Sequence, residues 1–173
     1  MSSTSTLPDQ MPIERVRRVR AARRLFVVLL TGFLVAGLFS VFGVRTRTVS
    51  ASADGYDLEV TYAAAARPGL AVPLKVDVTR KGGFDDTVVV STTSAYFDIV
   101  EENGFEPNPK SSWTAGPDIV WEFEKPHGDT LSIDVDGRVG PAVQSLWPSE
   151  AVTSVLVNDK PVVSVRYRTR VWP

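Results

Sequence analysis

The chain contains 173 residues, of which 43% are hydrophobic and 23% charged, and its formal net charge at pH 7 is −1. This composition excludes an intrinsically disordered chain and a strongly basic nucleic-acid-binding protein, so nucleic acid is not an expected partner. Because cysteine is absent, disulfide scaffolds, cysteine nucleophiles and cysteine-ligated metal centres are excluded as well, and no cofactor is expected.

The near-neutral charge hides three unlike segments, because an uncharged apolar block separates a basic head from an acidic remainder. The block extends from Leu25 to Val44, and an α-helix needs about 20 such residues to cross a bilayer. Arginines are frequent before the block, whereas Arg45 and Arg47 alone follow it closely, and this asymmetry predicts a cytoplasmic N-terminus. The residues that give this topology signal are Arg15, Arg17, Arg18, Arg20, Arg23 and Arg24.

These features predict a single-pass protein of the plasma (cytoplasmic) membrane with an extracytoplasmic C-terminal domain. The expected segments are a disordered basic cytoplasmic tail (1–24), a transmembrane helix (25–44), a linker (45–54) and a folded domain (55–173). The lipid bilayer is therefore an expected partner. A cleaved export signal is the alternative, because Ala51-Ser52-Ala53 has the small-x-small pattern of a cleavage site and Arg23-Arg24 resembles part of a twin-arginine motif.

Small residues recur at every fourth position of the block, at Gly32, Ala36 and Ser40. Residues with this spacing share one face of a helix, and small side chains there permit close packing against a second helix. The sequence thus predicts a helix-packing face for a homodimer or for a membrane-protein partner. The simpler alternative is that small residues are merely common in such helices.

The acidic remainder consists of short alternating apolar and polar segments separated by turn residues, which is typical of antiparallel all-β domains. Three segments, 56–62, 72–80 and 87–93, come first. Two hairpins are predicted after them, one from 119–124 to 131–136 and one from 151–157 to 162–171. About seven strands result, and the predicted fold is an all-β, immunoglobulin-like antiparallel β-sandwich preceded by one transmembrane α-helix.

The first of these hairpins contains a proline-x-glycine turn followed by a long alternating strand, in the stretch 121–139 (WEFEKPHGDTLSIDVDGRV). This stretch resembles the corresponding signature of bacterial extracellular immunoglobulin-like modules of the CARDB type. The resemblance implies a β-sandwich on the outer side of the membrane with an adhesion, spacer or accessory role. It brings no catalytic residue with it.

The interval 94–118 does not fit the strand pattern. Residues 94–104 fit a strand and a short helix equally poorly, and residues 105–113 are expected to be loop. Long loops are often functional, so the aromatic residues of this interval are candidates for binding a partner, with capping of the core as the simpler alternative. These candidates are Tyr96, Phe97, Phe105 and Trp113.

Acidic residues of the same interval raise the hypothesis of a calcium site. Their spacing does not match the ordered ligands of a calcium loop, so a solvated acidic rim is the favoured alternative. The residues concerned are Asp98, Glu101, Glu102 and Glu106.

Candidates for catalysis are few. Because His127 is the single histidine, histidine-clustered metal sites are excluded. His127 lies in a predicted turn, and any Ser-His-Asp triad would have to use it. Neither a nucleophile elbow nor a P-loop occurs. The chain is therefore predicted not to be an enzyme.

Outward-facing carboxylates two residues apart, such as Asp134 and Asp136, invite comparison with a glycosidase pair. Arginines also alternate on the last predicted strand, at Arg166, Arg168 and Arg170. Charge pairs between neighbouring strands explain both sets more simply than hydrolysis.

Two classes of function stay open. The first is a non-enzymatic accessory or interaction module for a membrane complex or a cell-envelope component, and the second is an extracytoplasmic ligand-binding or sensory module. The short predicted tail favours the first, because it leaves no room for a folded output domain. An envelope hydrolase is a weaker third alternative.

Overall fold

The computed structural model describes residues 13–38, 43–143 and 147–172. Two compact units are distinguished, Met1–Phe42 and Gly43–Pro173. Ser40 of the predicted helix-packing face lies outside the described residues.

Helix α1 (Ile13–Leu38) is the described element of the first unit. It begins within the basic segment that we expected to be disordered, and its sequence has no proline and many Ala, Arg and Leu residues, which favour helices. Large apolar side chains from Leu25 to Val35 are 43–66% exposed. Within the described residues, no helix reaches the length and apolar character required to cross a membrane.

The second unit is mostly β-sheet, and its described residues form ten strands. A single 3-10 turn, Ser94–Tyr96, separates the fourth strand from the fifth. The strands are β1 (Arg45–Ala53), β2 (Tyr56–Ala66), β3 (Ala71–Arg80), β4 (Val88–Thr93), β5 (Val100–Glu106), β6 (Ser111–Ala115), β7 (Asp118–Phe123), β8 (Thr130–Val139), β9 (Ser149–Val157) and β10 (Lys160–Val171).

The strands form one curled sheet with two arms. The first arm has the order β5-β8-β3-β2, with β1 also paired to β2, and the second arm has the order β10-β9-β4-β7-β6. A short parallel pairing joins the arms, in which Arg170 and Val171 of β10 lie opposite Ala65 and Ala66 of β2. The other pairings are antiparallel.

The curl brings side chains of both arms into one core. The rings of Phe105 on β5 and Trp121 on β7 have centroids 5.2 Å apart, although these strands lie near opposite ends of the strand order. Near the junction, Tyr62 on β2 and Tyr167 on β10 have ring centroids 4.7 Å apart. Burial of an apolar side chain of this size contributes roughly 1.5–3 kcal/mol, so these contacts hold the arms together.

Alternation along the strands was predicted correctly. The four apolar residues of β3 that were expected to face inward are at most 3% exposed, and they are Val72, Leu74, Val76 and Val78. The hairpin of β9 and β10 is also confirmed. Its turn residues Asn158 and Asp159 have positive φ angles of 50° and 60°, which suits the mirror-image turn that matches the twist of paired strands.

The other predicted hairpin is wrong. β7 pairs with β4 and β6, whereas β8 pairs with β3 and β5, so residues 124–129 connect the two arms instead of closing a hairpin. Both strands alternate and a turn lies between them, but this pattern does not specify which strands pair, because any sheet with one buried face produces it.

Three segments that were not assigned a strand from the sequence contain strands in the structure. Segment 45–54, expected to be a linker, contains β1, which is paired along β2 through a turn at Asp54 and Gly55. Residues 105–113, expected to be loop, contain the end of β5 and the start of β6. The interval 94–104 holds both the 3-10 turn and most of β5, so each of its two alternatives describes a part of it.

Candidate functional site

The aromatic residues predicted to bind a partner are mostly in the core. Tyr96 is 1% exposed, and its ring contacts Phe97 and Tyr167 at centroid distances of 5.2 and 5.9 Å. Phe97 contacts Trp121, as does Phe105. Of the four candidates, only Trp113 on β6 is exposed, by 41%. The first three rings therefore cap the core, and the four do not form one surface patch.

The described structure does not arrange the acidic residues of the calcium hypothesis as a metal site. Among the described residues, no group of three or more Asp, Glu or His side chains is arranged to hold a metal ion. Glu101 instead forms an ion pair with Arg138 at 2.8 Å, and partial burial raises the pKa of Glu102. His127 is exposed in the connection between β7 and β8.

A different feature stands out on the second unit, a cleft with a volume of about 630 Å³ that we call the basic groove. Its positive residues come from β1 and β10, two buried tyrosines line it, and Trp172 and Pro148 lie beside them. The arginines of the basic groove are Arg45, Arg47, Arg166, Arg168 and Arg170.

Pairing with the same strand, β2, places these arginines near one another. The three arginines of β10 alternate with the buried Tyr167 and Thr169, so they share its outer face. Arg45 and Arg47 lie at the start of β1, where the pairing has a register shift between Arg45 and Thr46. Ala65 of β2 is the register partner of both Arg45 and Arg170. The antiparallel β1–β2 pair and the parallel β2–β10 pair thus bring two distant segments of the chain to the same level of the sheet.

Glu150 on β9 neutralises part of this charge. Its carboxylate accepts hydrogen bonds from Arg166 at 2.5 Å and from Nε of Arg168 at 2.8 Å. These bonds, with that from Arg168 the stronger cause, lower the pKa of Glu150. The expected charge pairs of these arginines with Asp134 or Asp136 are wrong, because β8 lies in the first arm and is not a neighbour of β10.

Three arginines of the basic groove keep uncompensated charge. Arg45, Arg47 and Arg170 form no ion pair with any described residue. Arg170 lies over the ring of Trp172, with 5.3 Å between the guanidinium carbon and the ring centroid. Trp172 is 50% exposed, so the groove combines free positive charge with an accessible aromatic surface.

The two tyrosines that line the basic groove belong to the core. Tyr62 and Tyr167 are 6% and 3% exposed, and the Tyr167 hydroxyl is hydrogen-bonded to Thr153 at 3.0 Å. Thr153 is in turn hydrogen-bonded to Thr92 at 2.8 Å. Burial raises the pKa of Tyr167 to about 12, so this phenol stays neutral and does not offset the arginines.

This arrangement suits the binding of an anion. Several arginines line an open cleft, and arginine binds phosphate and carboxylate groups through paired N–H donors. The alternating arginines at 45–47 and 166–170 are visible in the sequence. What the sequence did not show was the pairing that unites them, because segment 45–54 was expected to be a linker.

No family model and no curated protein matches this chain. Three solved structures show a weak likeness. An alkylpurine DNA glycosylase from Pseudomonas fluorescens, AlkC bound to DNA with an abasic site analogue, is 17% identical with a TM-score of 0.33; the match covers 62% of this chain and 28% of the glycosylase.

The sixth cohesin of scaffoldin B from Acetivibrio cellulolyticus, in complex with a Cel5 dockerin, is 13% identical with a TM-score of 0.39; the match covers 75% of this chain and 97% of the cohesin. BcpA, the major pilin subunit of Bacillus cereus, is 9% identical with a TM-score of 0.35; the match covers 73% of this chain and 39% of the pilin. The function of this chain is therefore argued from its own residues.

Proposed function

We propose that this chain is a non-enzymatic single-pass membrane protein whose extracytoplasmic, immunoglobulin-like domain serves as an accessory or interaction module. The observation that carries the proposal is that an uncharged apolar block of the sequence leads directly into the first strand of a compact β unit. The uncharged block ends at Val44, and β1 begins at Arg45.

The membrane anchor is supported by the character of the apolar block. Leu25 to Val35 present large apolar side chains to the surroundings of α1, and a helix that is apolar on all sides belongs in lipid or inside a larger protein core. The block continues to Val44, past the end of α1 at Leu38, into residues 39–42 outside the described part. Exposed arginines at 17, 18, 20, 23 and 24 supply the orientation signal.

An immunoglobulin-like sandwich is supported by the way the sheet curls. The two arms face each other across one core, and contacts such as Phe105–Trp121 join strands that are distant in the strand order. The short parallel pairing of β2 with the last strand links the arms at one side. The resemblance to CARDB-type modules stays a prediction.

A role in binding, and not in catalysis, is supported by the chemistry of the basic groove. Its side chains carry fixed positive charge and aromatic surface, while the single histidine is exposed in a loop that does not line the groove. The second candidate function, an extracytoplasmic ligand-binding module, is supported by the same groove. The identity of what co-purifies with the chain in mild detergent separates the two, a stoichiometric protein for the first and a small molecule for the second.

Association through the small residues of the block is a separate prediction. Gly32 and Ala36 are four residues apart on α1, and apart from the adjacent residues and the helix's own backbone, no described atom lies within 4 Å of a Cβ placed on Gly32. This face has room for a second helix, and Gly32→Leu with Ala36→Leu is expected to weaken self-association measured by cross-linking in membranes.

The absence of cysteine makes topology directly measurable, because single introduced cysteines report their side of the membrane. We choose Lys160→Cys at the exposed start of β10 and Ser5→Cys in the basic head, with the unmodified chain as the blank. In intact cells, a membrane-impermeant maleimide is expected to label Lys160→Cys, and to label Ser5→Cys only after lysis. The reverse pattern, or a chain that carbonate extracts from membranes, contradicts the proposal.

A further inference from the structure

We propose that the basic groove binds the phosphodiester headgroup of an anionic phospholipid at the membrane surface from which the β unit emerges. The membrane location rests on the proposed function. The binding chemistry rests on the second unit alone, because every residue of the groove lies between Arg45 and Trp172.

Charge is the first argument. Arg45, Arg47 and Arg170 have no carboxylate partner among the described residues, although the unit that contains them has more acidic than basic residues. Unpaired arginines that line one cleft repel one another, and an anion bound between them relieves this repulsion. A phosphate group offers oxygens that accept the paired N–H donors of guanidinium groups.

The size and shape of the groove are the second argument. Its volume of about 630 Å³ falls within the roughly 300–1,000 Å³ of sites for small molecules. Accessible ring surface beside the arginines comes from Trp172, which is 50% exposed. A single headgroup can therefore lie with its phosphate among the arginines and its glycerol against the ring of Trp172.

The position of the groove in the chain favours a lipid over a soluble anion. Arg45 directly follows the apolar block, and Arg47 is separated from Val44 by only two residues. Three extended residues span at most about 10 Å, which keeps both guanidinium groups within reach of the headgroups that surround a membrane-embedded block. Trp172 is half-exposed beside them, and tryptophan is enriched at membrane–water interfaces.

The test is a titration of the full-length chain in dodecyl maltoside micelles, with binding followed by thermophoresis. The probes are dioctanoylphosphatidylglycerol, dioctanoylphosphatidylcholine and inorganic phosphate. The groove variant is R45Q/R47Q/R170Q. The matched control is R17Q/R18Q/R20Q, which removes the same charge from α1, and circular dichroism verifies that both variants keep the β-sheet.

We expect saturable binding of phosphatidylglycerol that weakens with added salt and exceeds the binding of phosphatidylcholine. The groove variant is expected to lose about a hundredfold in affinity, since each arginine near an anionic surface contributes roughly a fivefold factor. The control variant is expected to retain most of the affinity.

Equal binding of the two lipids, or a loss of affinity in the control but not in the groove variant, overturns the proposal. If inorganic phosphate binds as tightly as phosphatidylglycerol, and the groove variant loses this binding, the proposal that the ligand is a lipid is overturned. Because micelle titration does not require membrane insertion, a failure of the topology experiment and a failure of this one are separate results.

Discussion

Tyr167 belongs to a buried polar network with Thr153 and Thr92, and its ionisation provides a sharp test of the fold. Burial raises its pKa from 10.0 to about 12. The folded state therefore holds the phenolic proton at a pH at which the unfolded chain has already lost it. The resulting contribution to stability is fully present below about pH 10 and is lost as the pH rises toward 12.

The size of this effect follows from the shift. One pKa unit corresponds to about 1.4 kcal/mol, so the full contribution is about 3 kcal/mol, and roughly half of it is lost at about pH 11. Tyr167→Phe removes the ionisation together with the hydrogen bond to Thr153, and loss of that bond costs about 1 kcal/mol at neutral pH. The stability advantage of the unmodified chain over the variant should therefore vanish near pH 11.

The assay is urea unfolding of the full-length chain in micelles, followed by circular dichroism at about pH 8 and about pH 11. Tyr96, whose pKa is raised mainly by burial and to a smaller extent by Tyr167, is present in both proteins, so the difference between them reports mainly on Tyr167. Thr169→Val is the control, because it removes no ionisable group. Its free energy of unfolding should differ from that of the unmodified chain by the same amount at both pH values. A gap between the unmodified chain and Tyr167→Phe that stays constant across this range would refute the buried position of Tyr167.

Further predictions concern single contacts. Thr169 is 1% exposed and its hydroxyl has no hydrogen-bond partner among the described residues. Thr169→Val should therefore raise the free energy of unfolding by about 1 kcal/mol. Thr153→Val breaks two hydrogen bonds and should lower the free energy of unfolding by about 1 kcal/mol or more. A Cβ on Gly137 would lie 2.8 Å from Cγ1 of Val100, so Gly137→Ala should weaken the β5–β8 edge, at a cost of about 1–3 kcal/mol in urea unfolding. Glu150→Gln should tighten phosphatidylglycerol binding in the titration above, because it releases two guanidinium groups; weaker binding would show that Glu150 serves mainly to hold Arg166 and Arg168 in place.

Much of the β unit could be predicted from the sequence because local periodicity reflects burial. The inward face of β3 and the turn at Asn158 and Asp159 are read from residues close together in the chain. Pairing between distant strands is a different matter. The segments around Phe123 and Leu131 have the pattern of a hairpin, yet each finds its partners elsewhere, since the core that they bury is shared by both arms.

The short strands were missed for a related reason. β6 has exposed or half-exposed residues at all its positions, and β1 is nearly as exposed, so neither shows the alternation that marks a buried face. Backbone pairing with β7 and β2 stabilises them instead. The basic groove depends on β1, so its arginines are visible in the sequence but the pairing that brings them together is not.

The distribution of charge over the second unit affects how this unit is oriented near an anionic bilayer. The second unit has more acidic than basic residues, and a body of net negative charge is repelled by an anionic bilayer. Exposed carboxylates such as Glu106 and Asp134 lie on β5 and β8, separated by β3 from the strand that carries Ala65 between Arg45 and Arg170. An anionic surface therefore attracts one side of the unit and repels another. Under the proposed membrane anchoring, this asymmetry turns the basic groove toward the lipid, and its influence falls as salt shortens the range of both forces.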